Sequence, residues 1–254
     1  MHRVLRILMI AAVFAISTSG QQRATPDVVF SRSWIPSDFW RPLESLGKRV
    51  QFPGNERTVM TGQFTDAEGS RPAVLTQQLP ALVRFEGVNR GGGPLLFDGE
   101  RTGAGLSPAQ EDVIESVVLD TPEGLFSTIR QAGAARLIGR NFGPDPKREP
   151  NYDGSRYDVY ELAAPARTRR DGVLRSKRYY FDAKTGLLES TRYSDRRAGR
   201  AVRVETRFSS WTTVSGSSYP RLIERHEDGQ FVFRFSVSAV TSGPPQNIKF
   251  FRIP

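Results

Sequence analysis

The residues that could carry out acid–base chemistry in this sequence are few and scattered. His226 is the only histidine beyond the first twenty residues, and it lies beside Glu224 in a segment of alternating character. Asp158, Asp182 and Glu189 could act as acid and base only if the fold brought two of them together. A lone histidine in a strand is more often a surface residue than a catalytic one. The sequence therefore predicts no catalytic residue, and a hydrolase is kept as a minor alternative.

Motifs for nucleophiles, metals and cofactors do not occur in the sequence. The chain has no cysteine, which excludes thiol catalysis, thiolate metal ligands and disulfides. It also has no serine elbow, no HExxH and no phosphate-binding loop. The three glycines at 91–93 are followed by no helix, which favours a loop over a nucleotide site. We expect neither a metal nor a cofactor.

The N-terminus is typical of a secretory signal peptide. Arg3 and Arg6 precede an apolar run over 7–16, and small residues follow through Gly20. The run is too short to span a bilayer as a mature helix. We expect cleavage after about residue 20, a soluble mature chain over 21–254, and a periplasmic or secreted location. An uncleaved N-terminal anchor is the alternative.

The chain is strongly basic, with a formal net charge of +9. Basic clusters occur at 167–170, 175–178 and 195–200. An exported protein is a poor candidate for nucleic-acid binding, so an anionic lipid surface is the more natural partner for these clusters. Solvated loops and strand faces are the alternative explanation of the charge.

Helical signals occur in two places. Residues 36–47 carry apolar side chains at helical spacing and predict a short amphipathic helix. Ser107 and Gln110 form a predicted capping box before an apolar stripe that includes Val113 and Val117, and a second start follows at Thr121. The helices over about 108–133 lie between two blocks of strands, which makes them candidates for a lid or plug over a sheet.

The rest of the chain alternates apolar and polar residues between turn signals, which predicts about eleven short antiparallel strands. The predicted strands are 58–66, 73–78, 82–89, 94–97, 135–141, 157–163, 176–182, 187–194, 202–210, 218–227 and 231–240, and 248–253 is a further candidate. Consecutive hairpins of this kind predict one domain that is mainly β with a few helices, built as a strongly curved antiparallel sheet or incomplete barrel.

One face of this sheet is predicted to be dry. Val204 and Phe208 alternate with charged residues, and Phe231, Phe233 and Phe235 alternate with Val232, Arg234 and Ser236. A buried side chain of this size stabilises the fold by about 1.5 to 3 kcal/mol, so such a face must be covered. If the helices cover it completely it is a core, and if they leave a gap it is a ligand cavity.

Several segments resemble the LolA/LolB superfamily of envelope lipoprotein carriers, over about residues 35–254. The matching segments are QQLPALVRFE at 77–86, LLFDGER at 95–101, YYFDAKTGLL at 179–188, FSSWTTVSGSSYPRLI at 208–223, and the terminal FRIP at 251–254, which resembles a last strand ending in proline. In the soluble carrier of this superfamily an arginine before the strand proline latches the lid, whereas Leu79 occupies that position here.

The resemblance implies a half-barrel with a helical lid and an apolar cavity that binds acyl chains without covalent chemistry. The implied ligand would be a lipid or an acylated protein of the cell envelope, and the protein would be a monomer. The alternative is a non-catalytic module that binds or regulates an envelope protein. The candidate wall residues are Val83, Phe85, Tyr179, Phe181, Val204, Phe208, Phe231, Phe233 and Phe235, and Leu125 and Phe126 are the lid candidates.

Overall fold

The computed structural model describes ten ranges of the chain. These are residues 39–47, 57–78, 82–90, 92–98, 102–103, 106–125, 135–143, 154–165, 174–197 and 199–252. The predicted leader, the lid candidate Phe126 and the position of Leu79 lie outside these ranges, as does the rest of the second predicted lid helix beyond residue 125. Among the helices described, none is long and apolar enough to cross a membrane.

Thirteen strands make up most of the described chain. They are β1 (Arg57–Asp66), β2 (Gly69–Gln78), β3 (Leu82–Glu86), β4 (Leu95–Asp98), β5 (Ala135–Phe142), β6 (Tyr157–Pro165), β7 (Leu174–Asp182), β8 (Leu188–Arg197), β9 (Arg200–Ser209), β10 (Thr212–Val214), β11 (Ser217–Tyr219), β12 (Leu222–Glu227) and β13 (Gln230–Gly243). The predicted class is confirmed: the protein is mainly β, with one large, strongly curved antiparallel sheet that does not close into a barrel.

The order of the strands explains why helices cover this sheet. Eleven strands follow one another as β4-β3-β2-β1-β13-β12-β9-β8-β7-β6-β5, while β10 and β11 form a separate hairpin. The first strand therefore pairs with the last at the centre, over residues 57–66 and 233–243. The two outer strands, β4 and β5, are consecutive along the chain. The segment that joins them must return from one edge of the sheet to the other, and it contains the helix at residues 108–118.

Two helices are described with both their ends. Helix α1 (Trp40–Leu46) buries Leu43 and Leu46, and Pro42 is tolerated in its first turn, where backbone N–H groups have no intrahelical partner. Helix α2 (Pro108–Val118) begins at the predicted capping box, since the Ser107 side chain accepts from the backbone of Gln110 and Gln110 accepts in return. A further helical turn covers 122–125.

Two predicted strands differ from the structure, and one strand of the structure was not predicted. The segment 218–227 is divided at Pro220 into β11 and β12, because proline has no N–H for the ladder. Strand β10, which sequence reasoning missed, pairs with β11 across Ser215 and Gly216, both with positive φ as a tight hairpin requires. The C-terminal segment is a 3₁₀ turn over Ile248–Phe251, because the Asn247 side chain caps the Lys249 N–H.

Candidate ligand-binding face and its buried ionic cluster

The concave face of the sheet holds most of the residues predicted to line a cavity. Nine of the eleven are no more than 3% exposed: Val83, Phe85, Leu125, Tyr179, Phe181, Val204, Phe208, Phe233 and Phe235. All of these except Val204 belong to a single continuous apolar cluster that also contains the buried residues of both helices. These nine side chains are therefore covered in this structure.

Phe231 lies elsewhere, which corrects its predicted place on the dry face. It is 44% exposed. The ladder between β12 and β13 is irregular between Arg225 and His226, so that Arg225 pairs with Phe233 while His226 pairs with Phe231. The residue left over, Val232, breaks the strict alternation of the strand. Phe231 therefore turns to the outer face, where its ring lies 6.1 Å from that of His226.

One half of the concave face is aromatic. The Phe64 and Phe233 rings stack with centroids 5.3 Å apart, and the Phe85 and Phe235 rings meet edge to face at 5.0 Å. These rings come from the central strands β1 and β13 and from β3. Aromatic pairs of this kind add about 0.5 to 1.5 kcal/mol each to the gain from burial. This half is an ordinary apolar packing surface.

Helix α2 covers this aromatic half with its apolar stripe. Ile114 and Val117 are completely buried, and both belong to the same apolar cluster as the rings. The side-chain amide of Gln77 on β2 donates to the backbone carbonyl of Val117 at 2.9 Å. Because that carbonyl is in the last turn of α2, it has no partner within the helix. The sheet thus satisfies the end of the helix that lies on it.

The other half of the concave face is charged, and it also faces α2. Lys177 on β7 is fully buried, and its Nζ lies 2.5 Å from Asp120 Oδ1 just beyond the helix. The same ammonium lies over the Tyr193 ring, 4.3 Å from its centroid. Thr206 on β9 donates to Asp120 Oδ2 at 2.7 Å, and Thr191 on β8 donates to the Asp120 carbonyl at 2.8 Å. Asp120 is thus held to three neighbouring strands.

Arg225 on β12 is the centre of this ionic cluster. Its guanidinium is fully buried, donates to Ser116 Oγ at 2.8 Å and to the Tyr193 hydroxyl at 3.3 Å, and lies 3.6 Å from Asp112 and 3.8 Å from Asp120. Burial alone would lower the pKa of Arg225. The negative charges of the Glu115, Asp120 and Asp112 carboxylates outweigh burial and raise the pKa above its ordinary value. Arg225 is therefore a permanent cation beneath the helix.

Glu115 is the least satisfied member of the cluster. It is 1% exposed, and neither carboxylate oxygen accepts a hydrogen bond. Its nearest cations are the Lys177 ammonium at 3.7 Å and the Arg225 guanidinium at 3.9 Å. Three buried carboxylates, those of Asp112, Glu115 and Asp120, thus share two buried cations. A carboxylate in this position costs free energy to bury and gains little from its partners.

Two tyrosines complete the cluster. Tyr179 donates its hydroxyl to the Leu119 carbonyl at 3.3 Å, and Tyr193 donates to Asp120 Oδ2 at 3.4 Å. Burial raises the pKa of both hydroxyls well above the ordinary value, and the nearby charges of Asp120 and Glu115 raise it further. Both side chains therefore stay neutral and act as hydrogen-bond donors to the segment that follows α2.

The ionic cluster was missed at the level of sequence, although a signal for it exists. Lys177 has the same parity along its strand as Tyr179 and Phe181, which were assigned to the dry face. Arg225 has the same parity as Ile223. A basic residue at an inward position requires an acidic partner, and the acidic residues of α2 supply it. The residues proposed from acid–base reasoning lie elsewhere.

Those residues have structural roles. Asp182 accepts the N–H groups of Lys184 and Thr185 in the turn between β7 and β8, at 3.1 and 2.5 Å. Asp158 accepts the Asn141 N–H at 3.0 Å, where Asn141 has a positive φ of 51°. His226 is on the outer face beside Phe231, on the opposite side of β12 from Arg225.

Comparisons with known proteins show which solved structures have a similar fold. Neither known protein families nor curated sequences give a match to the sequence. A LolA superfamily protein from Nitrosomonas europaea matches the structure with a TM-score of 0.52 and 12% identity, over 84% of this chain and 96% of that one. The fold is LolA-like. The resemblance predicted from the sequence segments is thereby confirmed for the fold.

Two further solved structures are similar to this chain. A DUF1329 family protein from Desulfovibrio piger matches with a TM-score of 0.52 and 10% identity, over 84% of this chain and 95% of that one. A putative outer membrane lipoprotein-sorting protein domain from Vibrio parahaemolyticus matches at 10% identity and a TM-score of 0.46, over 77% and 88% of the two chains. The match to this chain thus extends over nearly the whole length of the Nitrosomonas and Desulfovibrio structures.

Proposed function

We propose that this protein is an exported, non-enzymatic binder of lipid or of an acylated protein in the cell envelope, with the concave face as its binding site and α2 as its lid. The observation that carries the proposal is that α2 covers a large aromatic surface while half of its attachment to the sheet is ionic. The proposal includes cleavage of the leader near residue 20 and delivery to the periplasm or the exterior.

The ionic half of the attachment makes α2 suitable as a lid. A buried ion pair offers little net stabilisation, since the attraction between its charges must repay the cost of removing them from water. When α2 moves away, Lys177, Arg225 and the helix carboxylates return to water and regain their hydration. Glu115, which has no hydrogen bond in the closed state, gains most from this change. Opening the ionic half is therefore less costly than opening a close-packed apolar interface.

The aromatic half supplies the affinity for an acyl chain. Opening exposes the helix residues Val113, Ile114, Val117 and Val118, which are at most 8% exposed when closed. At about 1.5 to 3 kcal/mol for each side chain, this costs on the order of 6 to 12 kcal/mol. An acyl chain with about 14 methylene groups regains roughly 11 kcal/mol, at about 0.8 kcal/mol for each group buried. One acyl chain can thus replace the apolar stripe of α2.

A disulfide between α2 and the sheet tests the lid directly. Ser116 Oγ on α2 and Thr206 Oγ1 on β9 lie 3.4 Å apart, and the chain has no native cysteine, so a Ser116→Cys/Thr206→Cys pair can be oxidised without competition. We expect the oxidised protein to take up a fluorescent fatty acid at least ten times more slowly than the same protein after reduction. The reduced protein is the matched control, because both samples carry the same substitutions.

Equal uptake by the oxidised and reduced forms would mean that α2 is not the lid.

Native mass spectrometry of the purified mature protein, followed by organic extraction, provides an independent test of the ligand. We expect a co-purifying lipid or acylated peptide, or uptake of the fluorescent fatty acid by the empty protein. A protein that is empty and takes up no acyl probe would overturn the proposed function and leave the aromatic half as ordinary core.

A further inference from the structure

Two hairpins meet at one end of the sheet and bring their turns together. The β8–β9 turn and the β12–β13 turn are adjacent because β9 pairs with β12. Asp228 joins them: its backbone N–H donates to the Arg203 carbonyl at 2.8 Å, and its carboxylate accepts the Arg203 N–H at 2.9 Å. The same carboxylate pairs with the Arg200 guanidinium at 2.8 Å. The two turns therefore form one connected structure.

This end of the sheet presents exposed arginines and one exposed aromatic ring. We define the hairpin-tip surface as Arg196, Arg200, Arg203, Phe231 and Arg234. The Arg200 side chain is 77% exposed and that of Arg234 is 48% exposed, while Arg196 and Arg203 are exposed as well. Phe231 is 44% exposed, and the Arg234 guanidinium lies 5.8 Å from the centre of its ring.

The charge of the hairpin-tip surface is positive after its ion pairs are counted. Its four arginines face two carboxylates, those of Asp228 and Glu224, which leaves a net charge of +2. Only a few of the five N–H donors on each guanidinium are used in these pairs, and guanidinium groups bind phosphate through two parallel hydrogen bonds. The surface thus offers oriented donors to phosphate groups around an apolar ring.

The position of Phe231 is produced by the strand irregularity and not by the hairpin alone. Strict alternation would place this ring on the concave face with Phe233 and Phe235, where it would be buried. The extra residue in β13 turns it outward instead. An exposed aromatic ring on the same surface as arginines is an arrangement by which peripheral proteins enter the boundary between headgroups and acyl chains, since the ring gains from the apolar side while the arginines attract anionic lipid.

We propose that the hairpin-tip surface docks on the surface of an anionic phospholipid bilayer, with Phe231 inserted between the headgroups. The inference rests on the proposed function, because a protein that loads and releases acyl chains must meet a membrane to do so. It also assigns a role to the basic cluster at 195–200. Charge complementarity selects the partner: a net positive surface with exposed guanidinium groups fits phosphate headgroups, and a neutral bilayer offers it no net attraction.

Vesicle co-sedimentation tests this docking surface. We expect the full mature protein to bind vesicles containing phosphatidylglycerol, to bind phosphatidylcholine vesicles at least tenfold more weakly, and to release as salt rises. Arg196→Gln/Arg203→Gln should weaken binding to the anionic vesicles about 25-fold, since each arginine near the surface contributes about fivefold. Phe231→Ser should also weaken binding to the anionic vesicles. Its relative effect should be larger at high salt, because salt screens the charges but leaves the apolar contribution of the ring.

The matched control is Arg136→Gln/Arg178→Gln, which removes the same charge from exposed arginines on β5 and β7. We expect this control to change vesicle binding less than threefold. Equal losses in the two double variants would overturn the docking surface in favour of general charge attraction. Failure of the unmodified protein to bind anionic vesicles would overturn it in favour of a protein partner. Uptake of a soluble fluorescent fatty acid, measured separately, tests the proposed function and should be unchanged in all these variants.

Discussion

The two halves of the concave face are equally buried but are held together by different forces. Under one part of α2 lie the rings of Phe64, Phe85 and Phe235, which are at most 1% exposed. Under the other part lie Lys177 and Arg225, which are no more exposed. The aromatic half gains free energy from removing apolar surface from water, whereas the ionic half spends most of its Coulomb attraction on desolvation.

This difference separates stability from specificity. The aromatic half would accept any apolar cover, whether a helix or an acyl chain, because apolar burial is not directional. The ionic half accepts only a cover that brings carboxylates to Lys177 and Arg225 in the right register. It therefore fixes where α2 rests when the protein is closed, while contributing little to how tightly it rests there. The two halves should respond differently to substitution and to pH.

The largest effect is expected from removing the central cation. Among the described residues, Arg225→Leu leaves Glu115, Asp112 and Asp120 with Lys177 as their one buried counter-charge, and it also removes the 3.0 Å pair between Arg225 and Glu227. Breaking a buried ion pair on one side costs about 3 to 5 kcal/mol, since the remaining charge stays desolvated. We expect the free energy of unfolding, measured by urea denaturation, to fall by about that amount. A loss below about 1 kcal/mol would mean that the cluster is well hydrated and not a buried network.

A second substitution on the same site separates charge from packing. Arg225→Leu/Glu115→Gln removes one of the excess carboxylates and should recover about 1 to 2 kcal/mol of the loss. Glu115→Gln alone should change stability by less than about 1 kcal/mol, because its oxygens accept no hydrogen bond in the folded protein. A double variant no more stable than Arg225→Leu would show that the loss comes from packing.

The next effect is expected at alkaline pH, and it belongs to the ionic half alone. Burial, together with Asp120 and Glu115, raises the pKa of Tyr193. Above about pH 10 the unfolded chain loses this proton and the folded chain keeps it, so the free energy of unfolding falls as pH rises, by about 1.4 kcal/mol per pH unit. Tyr193→Phe should reduce the alkaline slope of the wild type by that amount. Parallel curves for the two proteins would contradict the raised pKa.

A smaller effect is expected in the aromatic half. Phe235→Leu removes part of a fully buried ring that meets Phe85 edge to face. We expect a loss of about 1 to 1.5 kcal/mol from the missing apolar contact. The loss should be the same at pH 6 and at pH 10.5, because no titrating group is involved. Differential scanning calorimetry at both values would check it, and a loss that depends on pH would mean that the two halves are coupled.

The sequence predicted the frame of this protein better than its interior. Alternation and turn residues located most of the strands, and the capping box at Ser107 placed the start of α2 at the right residue. These signals are local, so they can be read without knowing the fold. The pairing of β1 with β13 is not local, and the sequence of neither strand predicts it.

The ionic cluster was missed for a related reason. Strand parity assigns Lys177 and Arg225 to the dry face, but a basic residue in such a position is normally interpreted as an edge or a solvent-facing site. Glu115 comes close to Lys177 and Arg225 because the connection from β4 to β5, which contains α2, crosses the concave face of the sheet. Phe231 was misplaced because a single extra residue in β13 reverses the face of a side chain, and a bulge leaves no mark in an alternating pattern.

The smallest effect is expected for the ion pairs on the outer face, because they remain in contact with water. Glu161 pairs with Arg136 and Arg178 at 2.8 and 2.9 Å, and the hydrogen bond from Arg178 is the main reason why the pKa of Glu161 is lowered. Both arginine side chains are more than half exposed, so the interaction is screened by water. We expect Glu161→Gln to cost less than about 1 kcal/mol and to cost less still in high salt. Urea denaturation of this variant beside Arg225→Leu would show whether burial, and not the number of ion pairs, sets the size of the effect. A Glu161→Gln loss as large as that of Arg225→Leu would remove the distinction between the buried cluster and the surface pairs.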